Sequence, residues 1–222
     1  RNWHLSNVGI PGFWTHSALY TGDLHTMNEY FASEFPYEGY PSMSELIKNK
    51  YPKIYSVYAS KDAEGFYPAV VEAIEPGVVL QSMPKSADAD FVVAIRSRLL
   101  TKTDILLAIL ETYEHIGKPY DYNFDFDTRD ALVCSELIYN ALFEQPPTKK
   151  GVHFKTSFVN GRKIVSPLDM ANKFVEEYGK PDAELKFVYF LKGNEKTGTS
   201  EVSTEAEFIK SVNWSKFSFF QK

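Results

Sequence analysis

Cysteine is nearly missing from this 222-residue chain: Cys134 stands alone. A single thiol excludes an internal disulfide and any zinc site built from cysteines, and it leaves the redox compartment open. Basic runs are missing as well. With 24 Lys and Arg against 29 Asp and Glu, the net charge of −5 argues against a nucleic-acid surface. No apolar run approaches the ~18–20 residues that a membrane-spanning helix requires. The chain has no HExxH, Walker loop, GxGxxG or GxSxG, so the usual marks of zinc-protease, nucleotide and serine-hydrolase chemistry are absent. It has no internal repeat, low-complexity block or convincing linker either. The chain opens on Arg1 and not Met, which is compatible with a removed leader and gives no ground for a cytoplasmic assignment.

What is present is an ordinary globular composition, 44% hydrophobic and 24% charged, with 17 Phe and 14 Tyr. Phe13 to Tyr20 reads as an aromatic strand with Trp14, His16, Ala18 and Tyr20 on one face. Residues 24–66 form an insertion dense in Tyr, Phe and Pro. Its Tyr30, Phe31, Phe35, Tyr37 and Tyr40 either roof a pocket or pack a long surface connection. Ser42 and Glu45 cap a short helix within it. Two strands meet at Glu75-Pro76-Gly77, and Phe91 to Arg96 is a third. A helix over about Asp104 to Ile116 is capped by Thr101. Further on come a hairpin around Asn160-Gly161, a helix opened by Ser166-Pro167 with Asp169, and a strand over Leu185 to Leu191. Gly193 to Ser200 reads as a polar link before a last helix capped by Thr204 and Glu207. The class is α+β in one domain over residues 1–222.

Cys134 is the fourth residue of the stretch ALVCSELIYNALF, Ala131 to Phe143. Leu137, Ile138, Ala141 and Leu142 give it one apolar helical face, and Asp130 is a candidate N-cap. A thiol in the first turn of a helix is favoured as thiolate by the exposed amides and the dipole. The plainer reading is a small buried hydrophobe. A thiol nucleophile needs a base, and that base needs an orienting group. His16 is the one histidine set among apolar strand residues, where it serves either as a base or as a satisfied core or edge residue. Glu72 falls mid-strand with Val70 and Ile74 on its own face and Ala69, Val71 and Ala73 on the other. A carboxylate so placed requires a partner unless it reaches solvent at a sheet edge. Asp121, Asn123, Asp125 and Asp127 alternate like calcium ligands, but Phe126 and Leu132 stand where an EF-hand needs Gly and Glu.

Gly117-Lys118-Pro119-Tyr120 followed by Cys134-Ser135-Glu136-Leu137 resembles the G-x-P-Y…C-S-x-L signature of NlpC-type papain-fold peptidases. His16 to Gly22 resembles their histidine strand, here placed ahead of the cysteine helix. That inverted order is similar to the circularly permuted branch. Ile10 to Gly22, Val71 to Val78 and Val133 to Tyr139 are most similar to its YiiX/YebB-like amidases. The resemblance implies a permuted papain-like fold, a central antiparallel sheet or partial barrel packed on helices. It implies a hydrolase that cleaves an amide through a thioester on Cys134, with His16 as base and Glu72 as orienting acid. Tyr120 and Ser135 would serve the substrate or the oxyanion. No metal or cofactor is implied. The substrate would be a cell-wall peptide or a lipid-linked amino acid, and the location the bacterial cell envelope, periplasmic or secreted. An acyltransferase of the lecithin retinol acyltransferase type, a non-catalytic binding module on the same fold and a calcium-stabilised domain around Asp121 to Asp130 stand as alternatives.

Overall fold

In the computed structural model, residues 10, 12–122, 130–159, 162–194 and 197–215 are described. Strand β1 (Leu19–Tyr20) is followed by helices α1 (Leu24–Tyr30), α2 (Met43–Lys50) and α3 (Pro52–Tyr58). Next come strands β2 (Pro68–Ile74) and β3 (Gly77–Ser82), the short helix α4 (Met83–Ser86) and strand β4 (Phe91–Ser97). Helices α5 (Lys102–Tyr113) and α6 (Cys134–Leu142) occupy the middle. The rest is β5 (Ser157–Val159), β6 (Arg162–Ile164), α7 (Pro167–Glu177), β7 (Leu185–Asn194), β8 (Thr199–Ser203) and α8 (Glu205–Ser211). The class is α+β: the sheets run β1-β2-β3, β4-β7-β8 and β5-β6, every pairing is antiparallel, and no described sheet closes into a barrel. No described helix is long and apolar enough to cross a membrane.

The chain divides into two compact units, each assembled from separate stretches. The first holds Ala18–Ser86 and Leu100–Gly151; the second holds Arg1–Ser17, Ala87–Leu99 and Val152–Lys222.

In the first unit, β2 is buried along nearly its whole length, and Val71 and Ala73 join a core with Leu106, Leu132 and Leu137. The insertion supplies much of that core. Ser42 caps α2 by accepting the Glu45 N–H, which sets Leu46 and Ile47 on the inward face. Met27, Met43, Leu46 and Ile47 are fully buried, each worth about 1.5–3 kcal/mol of transfer free energy. Phe31 is buried with them, and Phe35, Tyr37 and Tyr40 pack partly buried against the same cluster. Four of the five aromatics therefore pack into or against a core, while Tyr30 is exposed. Strand β1 ends in a buried hydroxyl chain: Thr21 Oγ1 lies 2.8 Å from Tyr58 Oη, which accepts from Tyr113 Oη at 3.0 Å. Burial pushes the Tyr58 phenol up to about 12, so it stays a neutral donor.

In the second unit, β4 and β7 pair from Phe91↔Lys192 to Ser97↔Leu185. An aromatic cluster covers them. Phe13 meets Phe91 and Trp214 edge-on at 5.1 Å, and Trp14 meets Phe208 at 5.7 Å while its indole N–H donates to Ser211 Oγ at 3.0 Å. Because Phe13 and Trp14 are spent on this cluster, the expected strand over Phe13 to Tyr20 shrinks to Leu19–Tyr20. Both ends of the expected polar link are paired strand instead, while residues 195–196 lie outside the described residues. Leu191 pairs with Val202 and Gly193 with Ser200. The Asn160-Gly161 turn lies outside the described residues, although β5 and β6 pair on either side of it.

The same unit carries a nearly buried ion network. Lys173 Nζ reaches Glu177 and, at 2.8 Å, Glu184, whose carboxylate also accepts the His153 N–H at 2.8 Å. Burial alone would raise the Glu184 carboxyl, but the hydrogen bonds from Lys173 and His153 outweigh it and hold the group below its usual range. Lys173→Ala is expected to cost about 1–3 kcal/mol in urea denaturation at pH 7, since it removes the nearly buried cation from two half-buried carboxylates. The Glu184 contribution is fully present above the unfolded carboxyl pKa and is lost as pH falls through its lowered folded value. The gap between wild type and Glu184→Gln should therefore narrow below about pH 4.

Candidate active site

Cys134 is the first residue of α6, and only 2% of its surface is exposed. The N-cap is Val133, in extended conformation with no side-chain cap bond, and not Asp130 as its residue type suggested. The reason is local. Leu132 is held in a parallel bridge beside Tyr120, with its N–H donating to Pro119 O at 3.1 Å and its carbonyl accepting from the Asp121 N–H at 3.2 Å. The chain can turn helical only after Leu132 is released from that pairing. A valine cap has no side-chain acceptor, so the first-turn amides beside the sulfur are not capped by it. A first-turn thiolate, and an oxyanion formed next to it, are both favoured there.

The segment that seats Leu132 is itself seated on the β2–β3 turn. Gly117 N–H donates to Val78 O, Val78 N–H to Lys118 O and Tyr120 N–H to Pro76 O, at 2.9 to 3.0 Å. A Cβ on Gly77 would sit 2.1 Å from Lys118 O, so only glycine permits this approach. The run Gly117-Lys118-Pro119-Tyr120 thus links the hairpin to the start of the cysteine helix.

Tyr120 is 9% exposed. Burial raises its phenol well above the usual value, and a thiolate at Cys134 would raise it further. The bridge from Tyr120 to Leu132, two residues ahead of Cys134, brings the two backbones close, and burial keeps Tyr120 an O–H donor. Ser135, next in α6, is also buried.

Glu72 lies on β2 opposite Val79 and is 2% exposed, so it does not reach solvent at an edge. Gln81 on β3 stands opposite Val70, which puts it on the Glu72 face one step along the diagonal, and its side-chain amide donates to Glu72 Oε1. Gln81 was missed by sequence reasoning, though a two-residue turn at Glu75-Pro76 would have paired position 81 with position 70.

His16 is exposed and lies just ahead of β1, not mid-strand, and it belongs to the second unit. The other described histidines are engaged elsewhere. His25 is an exposed neighbour of Glu29, buried His115 lies 3.0 Å from Lys118 Nζ and 3.5 Å from Glu111, and His153 binds Glu184. His4 lies outside the described residues.

Of the residues singled out in the sequence, Cys134, Ser135 and Tyr120 come together around the start of α6, while Glu72 is buried on the strand against which that helix packs. Among the described residues no three His, Cys, Asp or Glu side chains form a metal-binding group. Residues 123–129, which carry most of the calcium-like alternation, lie outside them.

Comparison with protein-family models matches residues 2–217 to the permuted papain-like amidase enzymes, YaeF/YiiX, C92 family. No curated protein and no solved structure matches the chain.

Proposed function

The chain belongs to the permuted papain-like amidases of the YaeF/YiiX, C92 family, and from that premise we propose that it cleaves an amide bond through a Cys134–His16–Glu72 triad. Family membership makes it a hydrolase of cysteine-peptidase type acting on a peptide-type substrate. The observation that carries the residue assignment is the position of Cys134, the sole cysteine, at the first residue of α6 with a protonated Tyr120 in reach.

The Cys134 thiolate attacks the substrate carbonyl, and a tetrahedral oxyanion forms. First-turn N–H groups of α6 and the Tyr120 hydroxyl supply its hydrogen bonds. His16, protonated as the thiolate forms, gives its proton to the leaving amine, and a thioester to Cys134 remains. His16 then takes a proton from water, the hydroxide attacks the thioester, and the free acid departs as the thiol is restored. Glu72 orients the imidazole and balances its positive charge. The acyl donor in this reading is a cell-wall peptide or a lipid-linked amino acid. Parallel assays on the two substrate types decide between them. Assays with an added amine or alcohol show whether water is the only acceptor.

His16→Ala is expected to lower amide turnover by about 10²–10⁴-fold and to slow alkylation of Cys134 at neutral pH. Unchanged turnover and unchanged alkylation would remove His16 from the mechanism.

A further inference from the structure

We propose that Gln81 is a positioning residue that holds the Glu72 carboxylate for its work on the imidazole, an inference that rests on the triad reading above. Glu72 is 2% exposed on a strand with apolar neighbours on both faces, where an ionised carboxylate is costly unless it is hydrogen-bonded. Gln81 is the neighbour that the hairpin register delivers to it. The β2–β3 pairing sets Gln81 opposite Val70, two residues from Glu72 on the same face, and its amide N–H donates to Glu72 Oε1.

The choice of donor matters chemically. Lysine or arginine in this place would neutralise Glu72 and compete with an imidazolium for its charge. An amide stabilises the ionised form through a hydrogen bond yet adds no net charge, so the full negative charge remains to act on a cationic ring. The bond also fixes the rotation of the carboxylate. The short Glu75-Pro76 turn locks the two strands in register, so the geometry is built into the hairpin itself.

The test is a kinetic cycle on the purified full chain, using an amide substrate that wild type turns over. Gln81→Leu is expected to lower kcat about tenfold, the worth of one hydrogen bond to a charged group, with KM within twofold of wild type. In a Glu72→Gln background the same substitution should lower kcat no further, because the carboxylate it serves is gone. Gln81→Met, unbranched and similar in volume, carries the same readouts if the leucine variant does not fold. An equal loss in both backgrounds, a change in KM alone or no change at all would overturn the inference. If Glu72→Gln lowers kcat and the Gln81 variants do not, this inference fails alone. If Glu72→Gln leaves kcat intact, the triad reading fails and takes the role of Gln81 with it.

Discussion

Replacing Cys134 with alanine is expected to reduce amide turnover by at least about 10³-fold while the protein still folds. The expectation follows from chemistry and from composition. No second thiol exists to substitute, and the residue occupies the one place on α6 where helix amides stabilise a sulfur anion. The structural cost is small, since one sulfur is removed from a large apolar cluster that also holds Val71, Val133 and Leu137, which leaves a minor void. We expect less than about 2 kcal/mol by urea denaturation. Binding of substrate should persist, so the loss falls on kcat. Cys134→Ser should be nearly as inactive, because a hydroxyl with its far higher pKa is a poor nucleophile beside an imidazole tuned to a thiol. An alanine variant with wild-type turnover would mean that the sulfur is only a core atom, as its burial would by itself suggest.

Gly77→Ala is expected to damage both stability and turnover, although the position touches no substrate. The added Cβ would meet Lys118 O at 2.1 Å, and the obstructing atom is backbone, which cannot swing aside. Either the hairpin or the Gly117 to Tyr120 segment must shift. A cost near the upper end of the ~1–3 kcal/mol range for overpacking is expected in denaturant. Because that segment pairs with Leu132, the shift propagates to the N-cap of α6 and to the spacing of Tyr120 from Cys134. Turnover should fall by more than the folded fraction accounts for, at least about tenfold at a temperature where the variant remains folded. A thermally weakened variant with unaltered kcat would show that this backbone ladder supports the fold alone.

Much of the placement of the candidate residues was legible because it depends on short-range rules. Helical spacing placed Cys134 at the start of an amphipathic helix, and strand alternation marked Glu72 as a buried carboxylate before any pairing was known. Thr101 caps its helix as its residue type predicted, although the helix starts at Lys102 and not at about Asp104, and Ser166 with Asp169 opens the next one as expected. What escaped depends on which surface a segment finds. Asp130 has the chemistry of a cap, but Leu132 is held in a bridge, so the helix begins later. Phe13 and Trp14 have strand propensity, yet their rings find an aromatic cluster and the strand does not reach back to His16. The aromatics of residues 24–66 looked like material for a lid because nothing in their local pattern distinguishes a roof from a core. Their partners Leu106, Leu132 and Leu137 are distant in sequence. Gln81 was missed for a related reason: it meets Glu72 only once β3 is laid against β2 through the Glu75-Pro76 turn.

The claim on which the rest depends is that the sulfur at position 134 carries the acyl group. It is tested most directly by acid-quenching the enzyme during turnover of an activated acyl substrate, weighing the intact protein and mapping the adduct by peptide. The account predicts a mass gain of one acyl group, confined to the peptide containing Cys134, removed by neutral hydroxylamine and absent from Cys134→Ala. Turnover that continues in the alanine variant, or an adduct that maps to any other residue, would contradict it.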